Sequence, residues 1–373
     1  MGQRKLYPVR LSRIDKILPA LEQSFEIVDS GTNPVPRPIR DVWGVEQAGK
    51  FKKYAEPIMS ARTTNEKPIL VMNSVDEFSL IVGLLCEQNN VPFVVRPRGG
   101  MWKAFHDRAH TESFVRKKSY SLRKEVVRNR VLSLADGIIP VTDFVKMQIL
   151  YELETDIDRI HSVHNTIETD RFDATPEGQF RDSIGLSDDT KFMLTITNFH
   201  YHRKYSGIVH FAPAIERVLH NHPEWHLVVA GSGKSFEQGR REIREQFAER
   251  FKDRIIFTGF YTPIEEALID AEIALHLSFR DSAAMTVLEA QAARTPIIVN
   301  TAGGMSEMID ESLAETSVVI SEIDQLHRSL KRFVESPERR RELGERNRGH
   351  IEREFSPEKI GEDFAVAIDD LLF

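Results

Sequence analysis

Short apolar runs alternate along the chain with longer segments in which apolar residues recur every three or four positions. The segments VDEFSLIVGLLCEQNN (75–90) and DFVKMQILYEL (143–153) show this helical period. Buried parallel strands read as continuous apolar runs, and crossover helices connect them, so the pattern predicts a βαβ sheet. The apolar runs of the first half are KPILVMNS (67–74), VPFVVRP (91–97), DGIIPVT (136–142) and RIHSVHNT (159–166).

The same rhythm restarts after the polar segment DATPEGQFRDSIGLSDDT (173–190), which contains proline and glycines. Such residues interrupt regular elements, so this segment predicts a boundary between two α/β units in tandem. The final segment, FSPEKIGEDFAVAIDDLLF (355–373), has the period of an amphipathic helix, which either caps the second unit or crosses back to the first. The apolar runs of the second half are KFMLTITN (191–198), WHLVVAGSG (225–233), RIIFTGF (254–260), IALHLS (273–278), TPIIVNT (295–301) and TSVVI (316–320).

Length and composition are those of an ordinary globular protein with two domains. The chain has 373 residues, 41% hydrophobic and 29% charged, and a formal net charge of −7. This acidic balance disfavours nucleic acid as a partner, because nucleic-acid binding needs a basic footprint. The one cysteine, Cys86, excludes an internal disulfide and is expected in the core. We find no apolar stretch of membrane-spanning length and no signal core, so we expect a cytoplasmic protein.

Two acids flank the start of a predicted helix in RDSAAMTVLEAQAA (280–293). Ligands of open parallel sheets bind beyond the carboxyl ends of the strands, where helix N-termini present free N–H groups. Small residues follow Asp281, and Glu289 lies about 12 Å further along a helix axis. The spacing suits a ligand with hydroxyls at both ends and a diphosphate between them. The alternative is that Asp281 is an N-cap and Glu289 a solvated acid.

Cationic residues follow another predicted strand, in TNFHYHRKYSG (197–207). Arg203 and Lys204 can reach a diphosphate from there, and charge-assisted hydrogen bonds contribute roughly 1.5–3 kcal/mol each. The alternative is that both are solvated loop cations. His200 and His202 lack an evident third ligand in the sequence, so we expect no metal site.

Basic residues also mark the first half of the chain. Arg96 and Arg98, in RPRGGMW (96–102), either project from a glycine loop toward a diphosphate or are exposed in a turn. The basic run from Arg116 to Arg130 is a candidate contact with an acceptor or with an anionic membrane, at about 1 kcal/mol per basic residue near the lipid surface. The alternative for this run is a solvated helix face.

Taken together, these segments resemble the retaining glycosyltransferases of family 4 over residues 65–373. RDSAAMTVLEAQAARTPIIVNTAGGMSEMI (280–309) is similar to the family's acid-x7-acid segment and the run that follows it. LADGIIPVTDFVKMQIL with RIHSVHNTIETDRF resembles the interdomain stretch, HRKYSGI the lysine segment, and PFVVRPRGGMW a branch with Arg-Gly in place of His-Gly. The resemblance implies an α/β fold of the GT-B class, with two Rossmann-like domains facing across a cleft. It implies an acceptor-side domain over 1–178, a nucleotide-sugar-binding domain over 179–355, and a final helix over 356–373 that packs back on the first domain.

The resemblance also implies roles for individual residues. Glu289 matches the acid that holds the donor ribose, and Asp281 the acid near the hydroxyls of the donor sugar. Lys204, with Arg203, matches the diphosphate cation. Arg98 is expected to meet the leaving diphosphate, which makes Arg98, Lys204 and Asp281 the expected catalytic residues. The remaining expected donor contacts are Asn198, the nucleobase residues Phe260 and Tyr261, and Ser282, Ala283, Ala284, Met285 and Thr286.

The chain departs from the family's usual pattern at several positions. These changes keep open a non-catalytic relative that binds nucleotide-sugar and acts as a partner or scaffold. A nucleotide-sugar epimerase on a similar fold is a second alternative. The departures are Asp281 for Glu, Ala283 and Ala284 for Phe-Gly, Asn198 and Phe199 for Gly-Arg, Arg294 for Gly, and a first loop, within YPVRLSRIDK (7–16), that lacks its glycines.

The family's chemistry implies transfer of a hexose-type sugar from a nucleoside diphosphate-sugar to a glycan, lipid-linked or protein hydroxyl, with retention of configuration. The leaving phosphate helps to deprotonate the acceptor on the same face of the sugar. Basic side chains would neutralise the leaving diphosphate, so we expect no metal and no cofactor besides the substrate. The expected location is the cytoplasm, or the inner face of the membrane through the basic run.

Overall fold

A computed structural model of the chain describes residues 4–9, 15–28, 58–59, 68–99, 125–173, 178–313, 317–318 and 322–373. Its contacts divide the chain into two compact units. The first unit is Met1–Thr166 together with Pro357–Phe373, and the second is Ile167–Ser356. Each unit contains one parallel sheet.

Strands and helices alternate along the described residues. The strands are β1 (Arg4–Val9), β2 (Phe25–Ile27), β3 (Ile69–Met72), β4 (Phe93–Val95), β5 (Gly137–Ile138), β6 (Lys191–Ile196), β7 (Trp225–Ala230), β8 (Ile255–Gly259), β9 (Ile273–His276), β10 (Ile297–Asn300) and β11 (Ser317–Val318). The α-helices are α1 (Leu18–Leu21), α2 (Glu77–Asn89), α3 (Asp143–Glu152), α4 (Gln179–Ser183), α5 (His202–Asn221), α6 (Phe236–Arg244), α7 (Ile264–Asp270), α8 (Met285–Ala292), α9 (Ile323–Glu335), α10 (Pro337–Glu354) and α11 (Pro357–Leu372). Residues 125–134 are also helical, and short 3-10 turns cover Asp15–Ile17, Ile157–Arg159, Asp170–Phe172, Glu249–Arg254 and Ser306–Met308.

The sheet of the first unit has the order β2-β1-β3-β4-β5. The helix α11 packs on this unit, because Ile360, Phe364 and Ile368 are buried in the same apolar cluster as Leu6 of β1. At Gly361 the helix runs so close to α1 that an added Cβ would lie 2.4 Å from the Cβ of Ala20. The C-terminal helix therefore completes the core of the first unit.

Most of the predicted strands are present, but the N-terminal part of the sheet was not predicted. The strand β1 occupies a central position between β2 and β3, with three-residue β2 beside it at the edge. The predicted strand over 159–166 is wrong, because that segment forms only a single bridge, between Ile160 and Ile138. The predicted core position of Cys86 is confirmed, and burial raises the pKa of its thiol to about 12, with a smaller effect from Asp136.

The sheet of the second unit has the order β11-β10-β9-β6-β7-β8, and its strands are parallel. The chain builds outward from β6 through β7 to β8, and then crosses back to place β9 on the other side of β6. The strand order thus reverses between β6 and β9. In open parallel sheets this reversal point is where the loops at the carboxyl ends separate and a ligand can enter.

The second unit starts and ends at neighbouring positions. The N–H of Ile167 donates to the carbonyl of Phe355 at 3.1 Å. Ile167 and Phe172 are buried in the apolar cluster that lies under α8. The contact boundary falls after Thr166, earlier in the chain than the polar segment 173–190 and than the boundary at 178 that the resemblance implied.

Candidate functional site

The loops that leave β6 and β9 meet at the reversal point of the second sheet. The first loop leads into α5, and the second leads through 277–284 into α8. Gly207 of α5 lies against the second loop so closely that an added Cβ would be 1.4 Å from the carbonyl oxygen of Leu277. A glycine is required there for the two loops to approach.

Lys204 and Asp281 form an ion pair across these two loops. The Nζ atom of Lys204, in the first turn of α5, donates to Oδ2 of Asp281. The Asp281 side chain is only 16% exposed, and that of Lys204 is similarly shielded. The fold therefore brings together two of the residues predicted for the site, which lie 77 positions apart in the sequence.

His276, at the last position of β9, lies beneath the carboxylate of Asp281. Its Nε2 is 3.3 Å from Oδ2 of Asp281, although the two atoms are not aligned as a hydrogen bond. Its Nδ1 is 3.1 Å from Oγ1 of Thr286 in α8. His276 was not predicted, because it occupies a position within an apolar strand pattern. A polar side chain at a buried position near the end of a strand was the available signal.

The pKa of Asp281 reflects these neighbours. Burial raises it, but the contact with His276 and the positive charge of Lys204 outweigh burial and hold the pKa well below its ordinary value. The backbone N–H of Ser282 also donates to Oδ1 of Asp281 at 3.0 Å. Asp281 is therefore an ionised acceptor at neutral pH.

The Gly-Gly pair that follows β10 fixes the backbone of Asp281. The N–H of Gly304 donates to the carbonyl of Asp281 at 2.9 Å. Gly303 has a φ of +126°, and an added Cβ would lie 2.0 Å from that carbonyl oxygen. Only glycine allows this approach, so Gly303 and Gly304 together fix the backbone position of Asp281.

The start of α8 is built from small residues that are partly or fully buried. Ser282 and Ala284 are buried, and Ala283 and Met285 pack at the edge of the core. The N-cap position is Ala284, which has no side-chain acceptor for the first N–H groups of the helix. These N–H groups would favour an anion brought close to them.

Glu289, about one turn along α8, is paired with Arg171. A guanidinium nitrogen of Arg171 donates to Oε1 of Glu289 at 3.1 Å, and a second lies 2.7 Å from Oε1 of Glu265 in α7. The Glu289 side chain is 15% exposed, so the alternative of a solvated helix acid is wrong. Neither Arg171 nor Glu265 was predicted to contribute to the site.

Arg203 and Asn198 shape the loop after β6. The guanidinium of Arg203 lies 4.7 Å from the ring centre of Tyr201, and its half-buried position lowers its pKa, which the charge of Asp281 partly restores. The side chain of Asn198 is exposed and accepts from the N–H of His200 at 2.8 Å. Phe199, which stands in place of the family's arginine, is buried and stacks on Tyr205. Arg203 is therefore no free loop cation, and Asn198 forms part of a turn.

The two residues predicted at the nucleobase have different surroundings. Phe260, just beyond β8, is 76% exposed. The hydroxyl of Tyr261 donates to Glu266 at 2.5 Å, and its ring makes an edge contact with Phe180. Burial and Glu266 raise the pKa of Tyr261 to about 12. Phe260 is thus the residue of the pair with an accessible ring.

In the first unit, Arg96 does not project from its loop as the sequence suggested. It is buried and donates to the carbonyls of Val163 and His164 at 3.1 and 2.8 Å. The prediction that Arg96 projects toward a diphosphate is wrong, because its side chain connects the end of β4 to residues 163–164 through hydrogen bonds. Arg98 is exposed, and its catalytic role stays a prediction.

The basic run from Arg116 to Arg130 lies outside the described residues up to position 124. In the described part, Arg128 is buried and Arg130 pairs with Glu87 of α2 at 3.3 Å. Across the parts of the chain that the structure describes, we find no helix with the length and hydropathy needed to cross a membrane. Contact of this run with a membrane stays a prediction.

Comparison with known proteins finds a family match in the second unit. Residues 177–350 match the family model described as glycosyl transferases group 1. The chain is 27% identical over 218 residues to N-acetyl-alpha-D-glucosaminyl L-malate synthase of Bacillus anthracis, covering 57% of this chain and 54% of that protein. It is 26% identical over 198 residues to a GDP-mannose-dependent phosphatidylinositol monomannoside mannosyltransferase of Corynebacterium glutamicum, covering 51% of this chain and 50% of that protein. The matched part thus spans about half the length of these relatives.

A solved structure matches the whole chain. The Anabaena protein Alr3699/HepE, solved in complex with UDP and also with UDP-glucose, superimposes with a TM-score of 0.70 at 11% identity, over 99% of this chain and 100% of that chain. At this identity the likeness shows the fold, and it confirms the predicted α/β class with two Rossmann-like domains. The cleft that this class implies stays a prediction. The chain has two parallel sheets of the GT-B kind, and most of its second unit matches the family model of the group 1 glycosyltransferases.

Proposed function

We propose that the protein transfers a sugar from a nucleoside diphosphate-sugar to a hydroxyl acceptor, with retention of configuration. The observation that carries this proposal is the meeting of Lys204 and Asp281 at the strand-order reversal, beside the small residues that begin α8. A cation, a set of helix N–H groups and an ionised acid in one place suit a ligand with a charged centre and hydroxylated ends.

The donor would extend along α8. Its diphosphate would lie against the first turn of α8 and receive charge from Lys204 and Arg203. Asp281 would accept hydrogen bonds from hydroxyls of the sugar, and Glu289 from the diol of the ribose. The exposed ring of Phe260 would stack on the nucleobase.

The chemical step needs stabilisation of the leaving diphosphate. The bond between the anomeric carbon and the phosphate oxygen breaks, and its electron pair leaves with the diphosphate. The acceptor oxygen bonds to the anomeric carbon on the same face, and its proton passes to the leaving phosphate oxygen. Lys204, Arg203 and the N–H groups of α8 would offset the developing charge, so the proposal requires no metal. Arg98 is a further residue proposed to neutralise the leaving phosphate.

Names of related proteins support the class of donor. HepE is solved with UDP and with UDP-glucose, and the relative from Corynebacterium glutamicum is named as GDP-mannose-dependent. We therefore propose a uridine or guanosine diphosphate-sugar as donor. A glycan, lipid-linked or protein hydroxyl is the proposed acceptor, and the cytoplasm or the inner membrane face the proposed location.

Thermal unfolding with added nucleotide-sugars tests the proposal. UDP-glucose or GDP-mannose should stabilise the wild type, by about 2.7 kcal/mol at a concentration of 100 times Kd. Lys204→Ala should lose most of this effect. Lys252→Ala is the matched control. Lys252 is also ion-paired, to Glu249, but it directly precedes β8 and so lies at the amino ends of the strands, away from the site.

Product analysis then separates transfer from the two alternatives. Transfer predicts release of UDP or GDP and, with a simple alcohol as acceptor, a glycoside with the anomeric configuration of the donor. Binding without turnover of any donor would favour a non-catalytic scaffold. An epimerised donor recovered in the absence of acceptor would favour an epimerase. If none of these nucleotide-sugars stabilises the wild type, the proposed donor class is wrong.

A further inference from the structure

In the structure Lys204 neutralises Asp281, yet the proposed function requires Lys204 at the diphosphate. One ammonium group cannot fully neutralise a carboxylate and a diphosphate that carries two further negative charges. When a donor draws Lys204 toward its phosphates, Asp281 loses its nearest positive charge while it remains largely buried. A buried carboxylate without a counter-charge is strongly disfavoured, so the site needs a second source of positive charge.

His276 is placed to supply that charge. Its Nε2 lies 3.3 Å from Oδ2, the same oxygen that Lys204 holds, and its side chain is buried under the loop. The N–H of Ser282 serves the other oxygen, Oδ1, and carries no net charge. An imidazole beside a carboxylate takes up a proton more readily once a competing cation is withdrawn.

Thr286 allows His276 to change protonation state without moving. In the neutral ring with Nε2–H toward Asp281, the Thr286 hydroxyl donates to Nδ1 across the 3.1 Å contact. After protonation Nδ1–H donates, and the hydroxyl oxygen accepts. A hydroxyl serves both states, whereas a carbonyl or an N–H group would favour only one of them.

Two further cations, Arg203 and Arg280, lie near this cluster. Arg203, from the start of α5, and Arg280, from the loop after β9, act electrostatically on each other, and Asp281 acts on Arg203. On the β10 side, the residue paired with His276 in the sheet is the neutral Val299. The donor diphosphate is therefore the group that changes the charge around Asp281 and His276, because it attracts Lys204 and both arginines at once.

We propose that His276 is a positioning residue that takes up a proton when the donor draws Lys204 from Asp281, so that donor binding is coupled to protonation of one imidazole. The inference rests on the proposed function, because it assumes that Lys204 meets the diphosphate. Its consequence is that donor affinity falls as pH rises, by at most about tenfold per pH unit for one linked proton.

Calorimetric titration in two buffers with different heats of ionisation measures this proton directly. UDP-glucose and GDP-mannose are the probes, because their esterified phosphates do not titrate near neutral pH. The wild type should take up part of one proton on binding between pH 6.5 and 8. His276→Gln keeps an N–H donor toward Asp281 but cannot take up a proton, so it should bind with no uptake and with an affinity that changes little with pH.

His327→Gln is the matched control, since His327 of α9 belongs to the same unit and touches neither Lys204 nor Asp281 among the contacts that the structure gives. This variant should keep the proton uptake of the wild type. His276→Asn, which preserves an amide near Thr286, serves as the second variant if His276→Gln does not fold.

The outcomes separate this inference from the proposed function. Binding by the wild type without proton uptake, or uptake that survives in His276→Gln, would overturn the role of His276 and leave the donor site in place. Failure of the wild type to bind either probe would contradict the proposed donor class, and the inference would fall with it. Uptake by the wild type and its loss in His276→Gln would support both.

Discussion

Arg171 donates to Glu289 across 118 positions of sequence, at a distance of 3.1 Å. The same guanidinium lies 2.7 Å from Glu265, which is in the first turn of α7. One arginine therefore pairs with two acids, one on α7 and one on α8. Glu289 is the acid proposed for the donor ribose. Its carboxylate is therefore oriented before any donor arrives, and orientation in advance lowers the entropy lost on binding.

Replacement of Arg171 should weaken donor binding more than it affects folding. Arg171→Gln removes the charge that orients Glu289, and we expect a loss of about 1–2 kcal/mol in the affinity for UDP-glucose or GDP-mannose, measured by calorimetry. The free energy of unfolding should change by less than ~1 kcal/mol, because Arg171 is 41% exposed.

Arg240→Gln is the control for Arg171, since Arg240 pairs with Glu237 at 2.8 Å and is exposed to a similar extent. That variant should leave donor affinity unchanged. If Arg171→Gln instead binds the donor more tightly, Arg171 competes with the ribose for Glu289, and its role is the reverse of the one proposed.

Gly303→Ala should displace Asp281 and destabilise the second unit. The added Cβ would meet the carbonyl of Asp281 at 2.0 Å, and the φ of +126° is unfavourable for alanine. We expect a loss of more than ~2 kcal/mol in the free energy of unfolding and loss of the thermal response to nucleotide-sugars. Denaturant unfolding and thermal shift measure the two effects.

Gly185→Ala separates backbone strain from the clash in this comparison. Gly185 also has a positive φ, +71°, but an added Cβ there meets nothing within 4 Å. It should cost only about 1–2 kcal/mol and keep the response to nucleotide-sugars. Equal behaviour of the two variants would mean that Gly303 does not support Asp281.

The ion pair of Asp281 should make stability depend on pH in the acid range. The pKa of Asp281 is depressed in the folded state, so between the folded and unfolded pKa values the unfolded chain binds more protons and stability rises with pH. The contribution of Asp281 is complete above the unfolded value of about 3.9 and is lost as pH falls through the folded value.

Unfolding of the wild type and Asp281→Asn at several pH values measures this contribution. The wild type should be more stable at pH 7, by roughly 1–3 kcal/mol, and the difference should shrink below about pH 4. Asp324→Asn is the control, because Asp324 pairs with Arg217 at an exposed position and should matter little. A gap between the wild type and Asp281→Asn that stays constant down to pH 2 would argue against the ionised pair.

Asn347→Leu should stabilise the second unit. Asn347 of α10 is fully buried, and neither atom of its amide has a hydrogen-bond partner among the described residues. An unpaired buried amide costs about 1–3 kcal/mol, so an apolar residue of similar volume should raise the free energy of unfolding by roughly 1–2 kcal/mol. Chemical denaturation at neutral pH measures the change.

Asn300→Leu is the opposite case and serves as the control for Asn347. Asn300 is equally buried, but its amide donates to the carbonyl of Leu277 at 2.9 Å and accepts from Ala302 at 3.0 Å. Its replacement should destabilise. Destabilisation by both variants would indicate that the amide of Asn347 has a partner, such as an ordered water.

The sequence predicted what local patterns encode. Buried parallel strands such as β3 and β9 appear as apolar runs, and residues that follow them are placed at the carboxyl edge by topology alone. Lys204 and Asp281 were predicted at the site in this way. Contacts between distant segments carry no local signal, so Arg171 at Glu289 was not foreseen, and His276 was hidden within an apolar run.

Charged residues were the least predictable, because their role depends on what surrounds them. The sequence around Arg96 is typical of an exposed loop cation, but its side chain is buried and donates hydrogen bonds to two carbonyls. Arg294 stands where a glycine usually ends the helix, and it adopts the left-handed conformation with a φ of 58°. Ion pairs with Asp173 and Glu345 accompany this conformation. No periodicity in the sequence distinguishes these cases from ordinary surface arginines.

The hydrogen bond from Ile167 to Phe355 places the two ends of the second unit side by side. Chain ends that already touch can be joined by a short peptide with little loss of loop entropy. The second unit is therefore suited to circular permutation, in which new termini are introduced in a surface loop far from Asp281. Exchange of this unit between related chains would therefore move the proposed donor site as one piece, because Lys204, Asp281 and Glu289 all lie within it.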